Sequence, residues 1–508
     1  MKNKFLLATF SLVLFACSST SNTNVSAETK NEVLAKPDTV QINKPVSNDS
    51  ASKVSQIPAS YKNIVFPEFK YNTPDPLTYR VEISDSITGY IVEDSSLPLA
   101  SFKVIFKEAT VPKSAKEIAV KDLLSGMFRR GGSLKNSIQT IDDSLEFISA
   151  SISGGLSSRS SSFSVNALSR DFKQTAYLAK EIFTSPAFDS TSLEIQKAAT
   201  ITNFERRYDT PAAVLSALRT KVNYASSPRL YDATSEEYRQ VSRKDLIEFG
   251  KGKFNPTRVI FAFAGNISKD SVVDFLKKYF ADWNISPNKN PDSAETLKLL
   301  HTPGIYAVER PVTQANISMN QPFLKRPHPD YYPAAVASFI LGGGGFSSRL
   351  TTRIRSDEGL AYSIYSTVGN SYFDSTLTTI ALQTKAEQTG FALKLIEEEI
   401  LKLAKEGPTE EELLLAKKTL IESLPSLFAT SEDIAYNFAE DEFIGKKANH
   451  YTEYIQEIEC VSKEQVQAMI SKYFAPEKMT VSIVGPAIAW KDLQNVKIIP
   501  LDSLEIRP

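Results

Sequence analysis

The sequence predicts an α+β protein of two homologous domains, each a mostly antiparallel sheet with packed helices. Three observations carry that expectation. The chain has 508 residues, 42% of them hydrophobic, which is too long for one ordinary domain and apolar enough for more than one core. It repeats itself: VSRKDLIEFGKGKFNPTRVIFAFAGNI from Val241 aligns without a gap on VSKEQVQAMISKYFAPEKMTVSIVGPA from Val461 at an offset of 220, and ALSRDFKQT from Ala167 aligns on ALQTKAEQT from Ala381 at an offset of 214. Within each half, runs that alternate with period two are followed by runs with helical spacing.

The N-terminus reads as an address. Lys2 and Lys4 precede an apolar stretch over residues 5–16, the length of a signal-peptide core and short for a bilayer span, so residues 1–16 are expected to be a signal peptide. Leu14-Phe15-Ala16-Cys17 resembles a bacterial lipobox, which implies lipidation of Cys17 and an exported, membrane-anchored, periplasm-facing lipoprotein. Residues 17–58 are rich in Ser, Asn, Thr and Lys and almost without aromatics, the composition of a disordered tether. The one other cysteine, Cys460, leaves no disulfide framework and is expected to be a buried small hydrophobe. Aromatics return at Tyr61, and the repeat places an N-terminal domain at 59–290 and a C-terminal domain at 291–508.

Strands are expected at SFKVIF (101–106), SSFSVNAL (161–168), STLTTIALQT and the two Pro-strand-Gly segments that end at Gly265 and Gly485. Helices are expected at KQTAYLAKEIF, LEIQKAATITNFERR, PDYYPAAVASFIL and FALKLIEEEILKLAKEG. Ser242 and Ser462 read as N-caps with Asp245 and Gln465 at N3, and Thr409 reads as a cap before Glu410, Glu411 and Glu412. The glutamates at 397–399 and 410–412 are read as solvated helix faces. With 58 basic and 59 acidic residues the net charge is −1, so a nucleic-acid partner is not expected.

The most unusual segment is LGGGGFSSRLTTRIRSDEGLAYSIYS. A phosphate-binding loop would need Gly-Lys-Ser/Thr or spaced glycines between strand and helix, and neither is present. Gly342, Gly343, Gly344 and Gly345 instead join two helices. This segment looks like the C-terminal-domain signature of the pitrilysin/insulinase family of metallopeptidases, which includes the mitochondrial processing peptidase subunits and the core proteins of the bc1 complex. The resemblance covers nearly all of residues 60–490. In that family two homologous α+β domains form half of a clam shell. The resemblance implies that Arg355 and Tyr362, separated by SDEGLA, contact the substrate backbone and stabilise the tetrahedral intermediate, and that the four glycines also approach a bound peptide. Gly359 suits a left-handed residue after a helix, which puts Arg355 in the last turn and Tyr362 near the start of a strand.

The family's zinc site is where this chain departs. Active members carry H-x-x-E-H on a helix, with a distal glutamate as a further ligand and the motif glutamate as general base. Alignment on MFRRGG places that motif on Asp122-Leu123-Leu124-Ser125-Gly126, and spacing to the YDTP turn places the distal ligand at Asn203, two positions from Glu205. Asp122 offers one oxygen at most, Ser125 is a poor base and Gly126 has no side chain. The three histidines, His301, His328 and His450, lack metal-ligand spacing and are read as surface or loop residues, while Ser347 and Ser348 have no identifiable base.

These residues imply that the chain binds no cofactor and hydrolyses no peptide alone. By resemblance it is the zinc-lacking subunit of a two-chain peptidase, contributing substrate binding and oxyanion stabilisation beside a homologous zinc-carrying partner. The alternatives are a non-catalytic binding or scaffold protein that keeps the fold, and an active zinc metallopeptidase with a displaced site.

Overall fold

Among the residues described by the computed structural model, which are 71–107, 111–250, 257–281 and 296–507 with Ser60 and Ile64, twelve strands form two six-stranded sheets. The expected signal peptide, Cys17, the tether and the 290/291 junction lie outside the described residues. The first sheet contains β1 (Arg80–Ser84), β2 (Ile87–Glu93), β3 (Leu99–Lys107), β4 (Ser151–Leu156), β5 (Ser160–Leu168) and β6 (Arg258–Gly265), in the order β1-β2-β6-β3-β5-β4. The second contains β7 (Gly304–Glu309), β8 (Gln314–Phe323), β9 (Ala361–Val368), β10 (Thr376–Lys385), β11 (Thr480–Gly485) and β12 (Val496–Ile498), in the order β12-β7-β11-β8-β10-β9.

The two sheets are copies of one plan. The strand ending on the repeated glycine, β6 or β11, lies between a parallel neighbour (β2 or β7) and an antiparallel one (β3 or β8). They differ at the outer strand, since β1 runs antiparallel to β2 whereas β12 runs parallel to β7. The helices of the first half are α1 (Pro76–Tyr79), α2 (Ala115–Arg130), α3 (Ile138–Phe147), α4 (Phe172–Thr184), α5 (Ser190–Glu205), α6 (Pro211–Asn223), α7 (Ser235–Gln240), α8 (Arg243–Gly250) and α9 (Lys269–Tyr279). Those of the second are α10 (Tyr331–Ser338), α11 (Thr389–Glu406), α12 (Glu410–Glu422), α13 (Ser431–Ile444), α14 (His450–Glu459) and α15 (Lys463–Tyr473).

The repeated caps form as their sequence suggests. At α8 the Asp245 N–H donates to Ser242 Oγ (3.2 Å) while the Ser242 N–H donates to Asp245 Oδ2 (2.8 Å). At α15 Ser462 and Gln465 make the same reciprocal pair, and Thr409 with Glu412 caps α12. Each sheet packs one face on helices of its own half. Phe102, Val104, Phe106, Phe261 and Phe263 meet α2, α4 and α9, and Ile317, Ile380 and Ile483 meet α10, α11 and α15.

The other faces are covered by exchange. Helix α13, from the second half, lays Ala435, Phe438, Ala439 and Phe443 on Tyr90, Val92, Ile105, Ile260 and Ala262 of the first sheet. Helix α6, from the first half, lays Val214, Leu218 and Val222 on Tyr306, Val308 and Val484 of the second. A polar clasp secures α13: Glu442 accepts from Arg80 Nε (3.1 Å), Thr88 Oγ1 (2.9 Å), Tyr90 Oη (2.7 Å) and Arg258. Burial would raise the Glu442 carboxyl, but bonds from Arg80, Tyr90 and Thr88 and the Arg258 charge outweigh it and hold it below the usual carboxylate range.

Two expectations are corrected here. Cys460 is exposed, because it caps the C-terminus of α14 at the surface instead of entering the core. Glu412 is no mere solvated residue, since it holds Arg349 through both oxygens (2.7 and 2.8 Å) and so joins α12 to the glycine segment.

Candidate functional site

The glycine segment begins as α10 widens into a π-helical turn at Phe339–Gly343. Gly342 is buried, and a Cβ there would stand 2.7 Å from the backbone nitrogen of Ser366 in β9, so glycine is what lets the turn press on the strand. Gly342 therefore presents nothing to a peptide, contrary to its expected role, while Gly343 and Gly345 are exposed and Gly344 half-buried. The chain turns at Gly345 (φ +58°), passes Phe346 and re-enters a helix whose last part, Thr351–Asp357, is π-helical. Buried Ser348 is engaged in that turn, its Oγ donating to the Gly345 carbonyl (2.7 Å), which removes it as a nucleophile candidate.

Arg355 lies in the last turn of this helix. Gly359 (φ +63°) follows, the Leu360 N–H returns to the Ile354 carbonyl (2.9 Å), and Tyr362 is the second residue of β9. The guanidinium carbon of Arg355 stands 4.7 Å from the centre of the Tyr362 ring, and Tyr362 is 84% exposed. A half-buried guanidinium thus lies against the ring of an exposed tyrosine. Among the described residues no carboxylate pairs with Arg355, although Arg349 and Arg353 in the same helix are paired with Glu412 and Glu358.

The degenerate metal positions fall on α2 and α5, which pack together. The Tyr238 hydroxyl donates to Asp122 Oδ2 (2.9 Å); Asp122 keeps exposed surface, but loss of water beside Tyr238 pushes its carboxyl above the usual range, with that hydrogen bond opposing. Ser125 Oγ accepts from the Leu156 N–H (3.2 Å). The space that Gly126 leaves is taken by Gln196, whose amide nitrogen would lie 2.9 Å from a Cβ there; Arg130 Nη1 donates to its carbonyl oxygen (3.2 Å). Asn203 is exposed on α5, two turns beyond Gln196 and on the same face. A serine, a glycine, an amide and one engaged carboxyl beside a guanidinium do not make a zinc site. Among the described residues no three His, Cys, Asp or Glu side chains are grouped to hold a metal ion.

The histidines divide. His301 is exposed, and His328 is half-buried with its Nδ1 accepting from the Asp330 N–H (3.1 Å). His450 corrects the surface reading: it is 9% exposed, at ring distances of 5.1 Å from Tyr451 and 6.4 Å from Tyr372.

Residues 240–420 match the family described as "Peptidase M16 inactive domain". A Bacillus subtilis (strain 168) protein named "Uncharacterized zinc protease YmxG" is 26% identical over 373 residues, covering 72% of this chain and 88% of the relative. The solved structure of a peptidase M16 inactive domain from Pseudomonas fluorescens superposes with a TM-score of 0.68 at 24% identity, covering 79% of this chain and 95% of that one, a likeness of fold. Over most of its length the chain is similar to peptidase M16 proteins. The human "Mitochondrial-processing peptidase subunit beta" is a further relative, 19% identical over 428 residues, which cover 82% of this chain and 86% of the human protein.

Among the described residues, the side chains present at these α2 and α5 positions do not make up a set of zinc ligands. The structure brings Arg355 and Tyr362, both named from the sequence, close together, and places Asp122, Ser125, Gly126 and Asn203 on the packed pair α2 and α5; Phe346 and Gln196 were not singled out from the sequence. Phe346 carried a weak signal, a large aromatic directly after a glycine run. Gln196 carried none, since only the packing of α5 on α2 brings it to Gly126.

Proposed function

We propose that this chain is the non-zinc subunit of a two-chain M16-type peptidase, and that Arg355 and Tyr362 bind the substrate and stabilise the oxyanion. The carrying observation is that the Arg355 guanidinium carbon lies 4.7 Å from the ring centre of exposed Tyr362, in a chain whose α2 and α5 positions lack a set of zinc ligands among the described residues. A carbonyl oxygen that gains negative charge during attack by water is stabilised by such donors. Gly343 and Gly345 leave room for an extended peptide beside them. The partner in this reading is a homologue with an intact H-x-x-E-H, which would hold the metal, and the naming of the human relative as a peptidase subunit supports pairing. Lys2, Lys4, the apolar stretch to residue 16 and Cys17 support an exported lipoprotein, anchored in a membrane and facing the periplasm.

Co-expression with an H-x-x-E-H homologue tests the reading. A complex is expected, and Arg355→Ala or Tyr362→Phe in this chain should lower its turnover of peptides by about a hundredfold. No complex, or turnover indifferent to both substitutions, sinks it. A stable complex with unchanged turnover would favour a non-catalytic binding or scaffold role.

A further inference from the structure

Phe346 stands at the tip of the glycine turn with 71% of its surface exposed, and its ring centre is 4.5 Å from the Arg355 guanidinium carbon. Tyr362 approaches at 4.7 Å, so two rings attend one cation, each within the distance at which a ring quadrupole attracts positive charge. The contrast with neighbouring arginines gives this arrangement its meaning. Glu412 takes Arg349 through two hydrogen bonds, and Glu358 takes Arg353 at 2.6 Å. A carboxylate occupies the donor edge of a guanidinium, whereas aromatic rings attract it electrostatically and leave its N–H groups available to a ligand.

The turn is built to place this ring. Gly345 adopts the left-handed conformation immediately before Phe346, and Ser348, 1% exposed, ties the turn to Thr351 (3.0 Å) and to the Gly345 carbonyl. An aromatic side chain left this open gains little from burial, so its contact with the Arg355 guanidinium is the interaction that its position supplies.

We propose that Phe346 is a positioning residue: with Tyr362 it holds the Arg355 guanidinium so that its donors face a peptide carbonyl. The inference rests on the reading of Arg355 as a carbonyl-binding group, and its test separates the two. Full-length protein treated with phenylglyoxal and mapped by peptide mass reports the reactivity of each arginine without any peptide ligand. Phe346→Leu should raise the rate at Arg355 severalfold and leave Arg353 unchanged, and Phe346→Trp should restore the wild-type rate. With an N-acetylated, C-amidated apolar decapeptide as probe, Phe346→Leu should weaken binding about tenfold, with recovery in Phe346→Trp. Identical Arg355 rates in wild type and Phe346→Leu overturn the positioning role. If wild type and Arg355→Ala take the decapeptide equally, the carbonyl-binding reading fails, and the modification rates still decide whether Phe346 positions the guanidinium.

Discussion

His450 begins α14 with its ring among Tyr451 and Tyr372, and burial, reinforced by the charges of Lys446 and Arg326, pushes its pKa down to about 3. The folded chain therefore keeps this ring neutral at pH values where the unfolded chain, near 6.5, takes up a proton. Stability carried by the neutral ring is complete above about pH 6.5 and is lost as pH falls toward 3. Between pH 7 and pH 5 the loss is about 2 kcal/mol. Replacing His450 by Phe keeps a ring in the site and removes the proton. Urea unfolding of that variant should weaken less than wild type over the same two pH values; parallel losses would mean that His450 is not held neutral. The sequence could not signal this burial, because the aromatic and cationic neighbours come from three separate segments.

At the scale of elements, α2 and α5 pack together and carry Asp122, Ser125, Gly126 and Asn203, the positions that the family resemblance assigns to a metal site. Asp122→His, Ser125→Glu, Gly126→His and Asn203→Glu together restore the ligand types, but any side chain at 126 meets Gln196 at 2.9 Å. That fourfold variant should bind zinc weakly, and adding Gln196→Ala should tighten binding by at least tenfold, measured by titration against a metal indicator. Equal affinity with and without the Gln196 change would show that the amide does not block the site. The helix positions themselves were legible, since an MFRRGG segment and a YDTP turn fix two rulers along the chain. The same holds for Arg355, Gly359 and Tyr362, whose local order of helix, left-handed glycine and strand is written in consecutive residues. Gly342 was read correctly as part of a helix junction and wrongly as a peptide contact, because its close neighbour Ser366 lies across a tertiary contact.

On the whole-molecule scale the two sheets depend on each other. Each repeat was recognisable through its caps, its Pro-strand-Gly segments and its alternating strands, but nothing local distinguishes a helix that covers its own sheet from one that covers the other. Helices α6 and α13 make that difference. A fragment ending before residue 296 would lack α13 and expose Tyr90, Val92, Ile105 and Ile260, a contiguous apolar face. Expressed separately, the halves should aggregate or bind a hydrophobic dye, and co-expression should recover a soluble pair. Intact protein should unfold in one transition, and a soluble, dye-silent first half would contradict the exchange as a source of stability.

The exchange also sets a schedule for synthesis. The last strand of the first sheet ends at Gly265, whereas the helix that covers its outer face ends at Ile444. At ordinary ribosomal rates roughly 10–40 s pass between them. During that interval the first half has every strand it needs and a face with no cover. A chain of this design waits on its own C-terminal third, and whatever shelters a growing polypeptide must hold this one until that third has been made.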